Sequence, residues 1–179
     1  MNRFEIRQPT WRRSQPVDWD TIYTSELSRI YNYFLYKVFD REIAQDLTAT
    51  TFERAWKTRS NYSAVIASPS TWLVGIARNV YREHVRKNKV TVSLPQDEQL
   101  ASNLDVERGF QEQQDKEFLQ SLLLKLSRRE QDLLALKYGA GLTNREIARI
   151  TKFSESNVGT ILHRAVTDLR KKWEERYER

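Results

Sequence analysis

The sequence predicts an all-α fold of two small helical domains joined by an acidic flexible linker. Apolar residues recur at three- and four-residue steps over residues 19–89 and again over 116–179, as amphipathic helices require. The stretch between these segments is acidic and has no such period. Hydrophobic residues make up 39% of the 179-residue chain and charged residues 30%, a balance that favours two modest cores over one large buried centre.

The composition divides the chain into four segments. Residues 1–17 hold four arginines and two prolines without periodicity and are expected to form a flexible basic arm. Residues 18–89 form the first helical domain. The linker is predicted over 90–115, where six acidic residues outnumber the basic ones, and its last third is expected to join the next helix. Residues 116–179 form the second domain.

Three helices are predicted in the first domain. The stripe of the first helix is Ile22, Leu27, Ile30, Tyr31, Phe34 and Val38. Asp40 breaks this pattern, and the stripe of the second helix is Ala44, Leu47, Thr51 and Ala55. Ser and Asn residues in 57–69 indicate a loop, after which Ser70 is predicted to cap a third helix. The buried side of that helix is expected to hold Trp72, Leu73, Ile76, Ala77, Val80 and His84.

The second domain contains a pattern typical of a helix-turn-helix. Ser127–Glu130 and Thr143–Glu146 both match the capping box that starts helices. Residues 151–153 form a tight connection, and Ser154 is predicted to cap a longer helix with the stripe Val158, Leu162, Ala165 and Leu169. Two helices joined by about three residues are typical of a DNA-binding motif. An ordinary helical hairpin with a solvated polar face is the alternative.

The longer helix offers side chains suited to duplex DNA. Its outward face is predicted to carry Ser156, Asn157, Thr160 and Arg164. Asn and Arg can form paired hydrogen bonds with adenine and guanine edges. Lys171, beside two further cations, is suited to phosphate contacts. The formal net charge of +6 agrees with a polyanionic partner.

The third helix of the first domain combines cations with aromatic rings. Arg78, Asn79, Arg82 and Arg86 lie on or near one face, and Tyr62 precedes them in the loop. Charge for phosphates and rings for unstacked bases are what single-stranded DNA binding requires. A basic, solvated helix with core aromatics is the alternative, and burial of Trp72 is at least as strongly favoured as base contact.

Several classes of site are not predicted. The chain has no cysteine, and His84 and His163 lie in different segments, so neither a metal site nor a cofactor is expected. No apolar run approaches the roughly 20 residues of a membrane span, and no signal-peptide core follows the N-terminal arginines. Membrane insertion is therefore not expected, and the predicted location is the cytoplasm. Carboxylates are dispersed, which argues against an enzyme.

Three motifs in order resemble the sigma-70 family of bacterial RNA polymerase sigma factors. Residues 40–56, DREIAQDLTATTFERAW, and residues 71–79, TWLVGIARN, resemble sigma region two. Residues 126–165 resemble region four. Regions one and three have no counterpart, which points to the extracytoplasmic-function (ECF) subgroup.

The resemblance implies core RNA polymerase and promoter DNA as partners. Docking on polymerase is implied for Asp46, Leu47, Thr51 and Phe52. Binding of the −10 non-template strand is implied for Arg78 and Asn79, with Tyr62, Arg82 and Arg86 as further −10 candidates. The loop at 57–69 corresponds to one that captures a flipped base, and Thr160 and Arg164 match contacts to the −35 duplex. The family also implies an anti-sigma factor as a partner.

Four positions depart from the family pattern. Ala49 and Thr50 replace the usual Gln-Glu pair, and Gly159 and Ile161 replace residues that are usually basic. Affinity for isolated −35 DNA is therefore expected to be low, and Ile161 is expected to pack inward. The alternative function is a stand-alone helix-turn-helix regulator, which would bind duplex operators without polymerase.

Overall fold

The computed structural model describes residues 18–88 and 106–176, and the regular elements in these ranges are helical. Their seven main helices are α1 (Trp19–Val38), α2 (Arg41–Lys57), α3 (Pro69–Asn88), α4 (Val106–Leu124), α5 (Arg128–Leu134), α6 (Asn144–Thr151) and α7 (Glu155–Glu174). A 3₁₀ turn, Arg59–Asn61, follows α2, and a π-helical turn, Ala135–Gly139, follows α5. The predicted arm and residues 90–105 of the predicted linker lie outside the described residues.

Aspartate side chains set the starts of the first two helices. The Asp18 carboxylate accepts a hydrogen bond from the backbone N–H of Thr21 at 3.2 Å. The Asp40 carboxylate accepts one from the N–H of Ile43 at 2.8 Å. Both satisfy amide donors that have no partner within the helix. Between the helices, Phe39 adopts a left-handed conformation with φ of 55°, which ends α1. The acid that interrupts the hydrophobic pattern is therefore the cap of α2.

The third helix begins two residues before the start that a cap at Ser70 would give. Pro69 is the first helical residue, a position that proline favours because its missing N–H would have no helical partner. The Ser68 hydroxyl accepts a hydrogen bond from the Thr71 N–H at 3.2 Å and therefore caps the helix. The Ser70 hydroxyl instead donates to Glu26 of α1 at 2.8 Å. The prediction of Ser70 as the cap is wrong.

The first domain is held by an apolar interface between its helices and by an ion pair between α2 and α3. The side chains of Ile30, Tyr33 and Phe34 in α1 are fully buried. The predicted α2 stripe is buried in full, at Ala44, Leu47, Thr51 and Ala55. Arg54 of α2 donates two hydrogen bonds to the Glu83 carboxylate of α3, at 2.8 and 2.6 Å. This paired geometry fixes the two helices in register.

Both capping boxes predicted in the second domain are present. At the start of α6, Thr143 Oγ1 accepts from the Glu146 N–H at 3.2 Å, and Glu146 accepts from the Thr143 N–H at 2.8 Å. The helix ends at Lys152, where φ is 65°. Ser154 then caps α7 through the Asn157 N–H at 3.2 Å. These caps confirm the predicted helix-turn-helix.

The second domain packs directly against the first. Gly139 lies so close to α1 that an added Cβ would stand 2.9 Å from the Asn32 carbonyl oxygen. Arg29 of α1 donates a hydrogen bond to the Ala140 carbonyl. The buried apolar side chains of both domains form one continuous cluster, where the composition favoured two separate cores. No helix of the described ranges is long and apolar enough to cross a membrane.

Candidate nucleic-acid and polymerase interfaces

Helix α7 presents the predicted −35 residues together on its exposed side. The helical period of about 100° per residue places them within a band of roughly 100°. The five residues are Ser156, Asn157, Thr160, Arg164 and Lys171, and all are exposed. The opposite side of α7 packs into the core through Val158, Leu162 and Ala165. A recognition helix needs this division between a packed face and an open polar face.

The two positions of α7 that depart from the family pattern, Gly159 and Ile161, lie in different structural environments. Ile161 packs against the core cluster, as the sequence predicts, so its lack of charge has a packing reason. Gly159 is partly buried, and an added Cβ would meet only Asn144 Nδ2, at 3.5 Å. That distance is an ordinary van der Waals contact. Nothing in the fold requires glycine at position 159.

Helix α3 carries a strip of three exposed polar residues. Asn79, Arg82 and Arg86 are all exposed and are separated by three and four positions, which places them on one face. Arg82 donates to the Asn79 side-chain oxygen at 3.2 Å. This pairing orients the amide while leaving most of the guanidinium donors open. The strip can offer hydrogen bonds and charge to a single strand.

Arg78 is held away from this strip by its contacts. It lies about 100° around the helix from Asn79 but only about 40° from Arg82, and its guanidinium points toward the second domain. Its guanidinium donates to Asp132 at 2.8 Å and to the Ile150 carbonyl at 3.0 Å. Only 15% of its side chain is exposed. In this conformation, the structure therefore removes Arg78 from the predicted −10 surface.

Asp132 joins two cations of the first domain. Besides Arg78, its carboxylate pairs with Lys37 Nζ at 3.4 Å, and Lys37 also lies 4.6 Å from the centre of the Tyr81 ring. Burial lowers the pKa of Lys37 from its ordinary value, and Asp132 opposes this shift. A partly buried ion network of this kind depends on all its members, because removing one leaves a poorly solvated charge.

Tyr62 is part of an aromatic cluster. Its ring centre lies 5.8 Å from that of Trp19 and 5.1 Å from that of Trp72, separations typical of packed rings. Trp72 is half-buried, as the core alternative foresaw. The most exposed apolar side chains nearby are those of Val65 and Ile66 at the loop tip, 95% and 80% exposed. The cluster ties Tyr62 of the loop to α1 and α3 and leaves the loop tip open.

Helix α2 separates the four predicted polymerase-docking residues into two pairs. Asp46 is exposed, and Phe52 is half-buried with its ring 4.8 Å from that of Tyr23. Leu47 and Thr51 are buried, and the Thr51 hydroxyl donates to the Leu47 carbonyl at 2.8 Å. These two side chains pack into the core beneath the exposed side of α2. In this structure they are not available for direct contact with polymerase. Ala49 and Thr50 lie on the same side as Asp46.

Two residues that are important for the packing of the two domains could not be recognised from the sequence. Asp132 resembles any exposed acid in a short helix, and Gly139 resembles a turn residue. Their roles depend on contacts with residues 54 to 107 positions away along the chain. Local periodicity carries no information on such contacts.

Comparison with known proteins assigns this chain to a family. Residues 22–91 match Sigma-70 region 2, and residues 117–169 match Sigma-70, region 4. The ECF RNA polymerase sigma factor SigM of Bacillus subtilis is 30% identical over 82% of this chain and 89% of its own length. The chain belongs to the ECF sigma factors. Promoter-directed initiation of transcription is the function of that family.

Two further relatives of this sigma factor and two solved structures agree. RNA polymerase sigma factor YlaC of Bacillus subtilis is 30% identical, with 85% of this chain and 90% of the relative covered. ECF sigma factor BldN of Streptomyces coelicolor is 29% identical over 83% of this chain, which spans only 57% of BldN. Sigma factor RpoE of Bartonella quintana, solved with the anti-sigma factor NepR, has a TM-score of 0.64 at 17% identity, covering 86% and 95%. CnrH, solved with the cytosolic domain of CnrY, has a TM-score of 0.57 at 17% identity, covering 88% and 86%. At these identities the two structures show the fold alone.

Proposed function

We propose that this sigma factor directs core RNA polymerase to its promoters by reading the −35 duplex with α7 and holding the −10 non-template strand along α3. The exposed α7 face carries the proposal. It combines a hydroxyl, an amide and a guanidinium capable of base contacts with a cation suited to phosphate. We propose that it is not an enzyme, because the factor supplies binding energy and polymerase supplies the chemistry. We also propose that it acts in the cytoplasm.

Promoter binding requires the two domains to separate. The −35 and −10 elements are about 25 base pairs apart, or about 85 Å along B-DNA. A compact chain of this length has a radius of gyration of about 16 Å, too small to span both. Residues 88 and 106 are joined by eighteen peptide steps, which reach at most about 60 Å. Together with the widths of the domains, this reach is sufficient.

Separation also exposes the −10 surface. Arg78 is paired with Asp132 in the packed arrangement and would rejoin Asn79 and Arg82 once α5 moves away. We propose polymerase docking on the exposed side of α2, at Asp46 and the Phe52 edge, with Leu47 and Thr51 supporting that surface. We also propose an anti-sigma factor as the regulatory partner, since RpoE of Bartonella quintana was solved with the anti-sigma factor NepR.

The test is open-complex formation with bacterial core polymerase on a promoter library. The double variant Asp46→Ala, Phe52→Ala should lose binding to core. Asn79→Ala should bind core normally but open promoters about tenfold less, the loss expected for one base-specific contact. Asn88→Ala is the matched control, because its amide lies nine positions later on the opposite side of α3.

A defined result would reject the proposal. If the wild-type chain ignored core polymerase and bound duplex operators alone, the stand-alone regulator would be the correct function. If Asn79→Ala and Asn88→Ala opened promoters equally well, the assignment of the α3 strip to the −10 strand would be wrong.

A further inference from the structure

A cationic cleft lies where the two domains meet. Its volume is about 560 Å³, and its walls come from α1, α3, α5 and the residues that end α6. Five cationic side chains line it against the single carboxylate of Asp132, namely Lys37, Arg78, Arg82, Arg128 and Arg129. None of the DNA surfaces described above includes the α5 wall. The convergence of cations from both domains is a separate feature of the closed molecule.

Most of this positive charge is not compensated by protein groups. Asp132 already pairs with Lys37 and Arg78. Among the described residues, Arg82, Arg128 and Arg129 form no ion pair, and Arg129 instead lies 5.0 Å from the centre of the Phe153 ring. Like charges that converge in a cleft repel one another and concentrate a positive potential there. An anion entering the cleft would relieve this repulsion.

A buried hydroxyl group gives a second, independent indication. Tyr33 is fully buried and lines the same cleft. Its hydroxyl oxygen has no hydrogen-bond partner among the described residues. A buried polar group without a partner is destabilising, and each such group calls for an explanation. A ligand oxygen in the cleft would accept the Tyr33 hydrogen bond, and the 6% exposed side chain of Lys37 would supply a charge nearby.

We propose that this cleft binds a small anion carrying two or more phosphate groups. Its volume lies within the range of about 300–1,000 Å³ typical of small-molecule sites. Arginine guanidinium groups suit phosphate oxygens because several donors converge in one plane. The rings of Tyr81 and Phe153 also line the cleft, each with a cation over one face, so a nucleotide base would contact a ring only at its edge or its other face. Inorganic diphosphate and a nucleoside diphosphate share the recognised chemistry.

Such a ligand would hold the two domains together. It would contact cations of α3 and α5 at the same time, so the closed arrangement would bind it and the separated arrangement would not. By linkage, the ligand then stabilises the closed arrangement to the extent that it binds this arrangement more tightly than the separated one. This inference concerns the free chain and does not depend on the proposed promoter function.

The test is calorimetric titration of the full chain with inorganic pyrophosphate, with ADP and with sulfate, at physiological salt. Saturable one-to-one binding of pyrophosphate, tighter than sulfate, is expected. ADP should bind at the same site and displace pyrophosphate. Tighter binding of ADP would show that the rings contribute, whereas equal binding would assign recognition to phosphate alone. Either order supports the proposal. Absence of saturable binding by both would overturn it.

Variants separate a built site from general surface charge. Tyr33→Phe removes one hydroxyl and keeps the buried ring, and it should weaken pyrophosphate binding about tenfold, the loss expected for a hydrogen bond to a charged group. Lys37→Met should weaken it at least as much. Arg41→Gln is the matched control, because this exposed arginine of α2 lies outside the cleft. Equal affinities for wild type, Tyr33→Phe and Lys37→Met would overturn the proposal.

A third variant tests the need for closure. Gly139→Ala removes no charge but places a Cβ against the α1 backbone. With helicity by circular dichroism unchanged, it should bind pyrophosphate more weakly than wild type by about tenfold or more, the change expected when closure becomes a minor state. Wild-type affinity in this variant, accompanied by a larger radius of gyration, would show that one domain binds the anion alone and would overturn the interdomain site.

Discussion

At the scale of the residue, two glycines of the second domain have opposite constraints. Gly139 lies against the backbone of α1, where an added Cβ would stand 3.0 Å from the Tyr33 Cα. Gly159 lies within α7, where an added Cβ would meet one amide nitrogen at 3.5 Å. The first glycine is required for packing, whereas the second only weakens the helix that carries it.

Gly159→Ala is therefore expected to stabilise the protein. Alanine in a helix interior is favoured over glycine by about 1 kcal/mol, and the contact with Asn144 permits the methyl group. The free energy of unfolding, measured by urea denaturation, should rise by about that amount. Gly139→Ala is the control and should lower it. An unchanged or lower stability for Gly159→Ala would show that α7 needs the glycine.

At the scale of the element, helix starts were the most predictable features. The predicted caps Ser127, Thr143 and Ser154 each stand at a helix start, because capping is a local interaction between residues two or three positions apart. The error at Ser70 has a local cause as well. Ser68 and Ser70 have identical side chains, so their residue type does not show which of them is the cap. Pro69 occupies the first helical position, which makes Ser68 the cap.

Acidification is expected to weaken the cap of α6. Burial raises the pKa of Glu146, but hydrogen bonds from the Thr143 backbone and hydroxyl outweigh it and hold the pKa below its ordinary value of 4.5. Since the folded-state pKa is lowered, this stabilisation is complete above pH 4.5 and is lost as the pH falls through the folded value. Urea midpoints between pH 7 and pH 3 should therefore fall more for wild type than for Glu146→Gln. Equal falls would contradict this prediction.

At the scale of the whole molecule, the sequence predicted the parts better than their arrangement. The buried stripes of α2 and α7 followed from periodicity, and the exposed face of α7 followed from them. Arg78 was placed with Asn79, Arg82 and Arg86 because helical spacing puts these residues on or near one face, but spacing does not show which of them is engaged by another domain. The partner of Arg78 lies 54 positions away, and only the packing of the two domains brings them together.

Asp132→Asn is expected to favour the separated arrangement. It leaves Lys37 and Arg78 without their shared carboxylate, at a cost on the order of 2 kcal/mol, below that of a fully buried pair because 22% of the Asp132 side chain is exposed. Small-angle scattering should show a larger radius of gyration. A −10 non-template oligonucleotide should bind more tightly, since Arg78 is released.

Asp168→Asn is the matched control for this variant. Asp168 pairs with Lys172 on the exposed surface of α7, so its replacement should leave both the dimensions and the affinity for the −10 oligonucleotide unchanged. If both variants behaved alike, the contact between Asp132 and the first domain would have no role in holding the domains together.

The pairing of Arg78 with Asp132 also affects how the factor distributes itself in a cell. A chromosome offers on the order of 10⁶–10⁹ nonspecific sites, and each exposed cation that contacts phosphate strengthens their competition for the protein. Because Lys37 and Arg78 are held against Asp132 and are largely buried, neither is available to contact phosphate in the closed molecule, which lowers its attraction to bulk DNA. A larger fraction of the factor is then expected to remain free to bind polymerase.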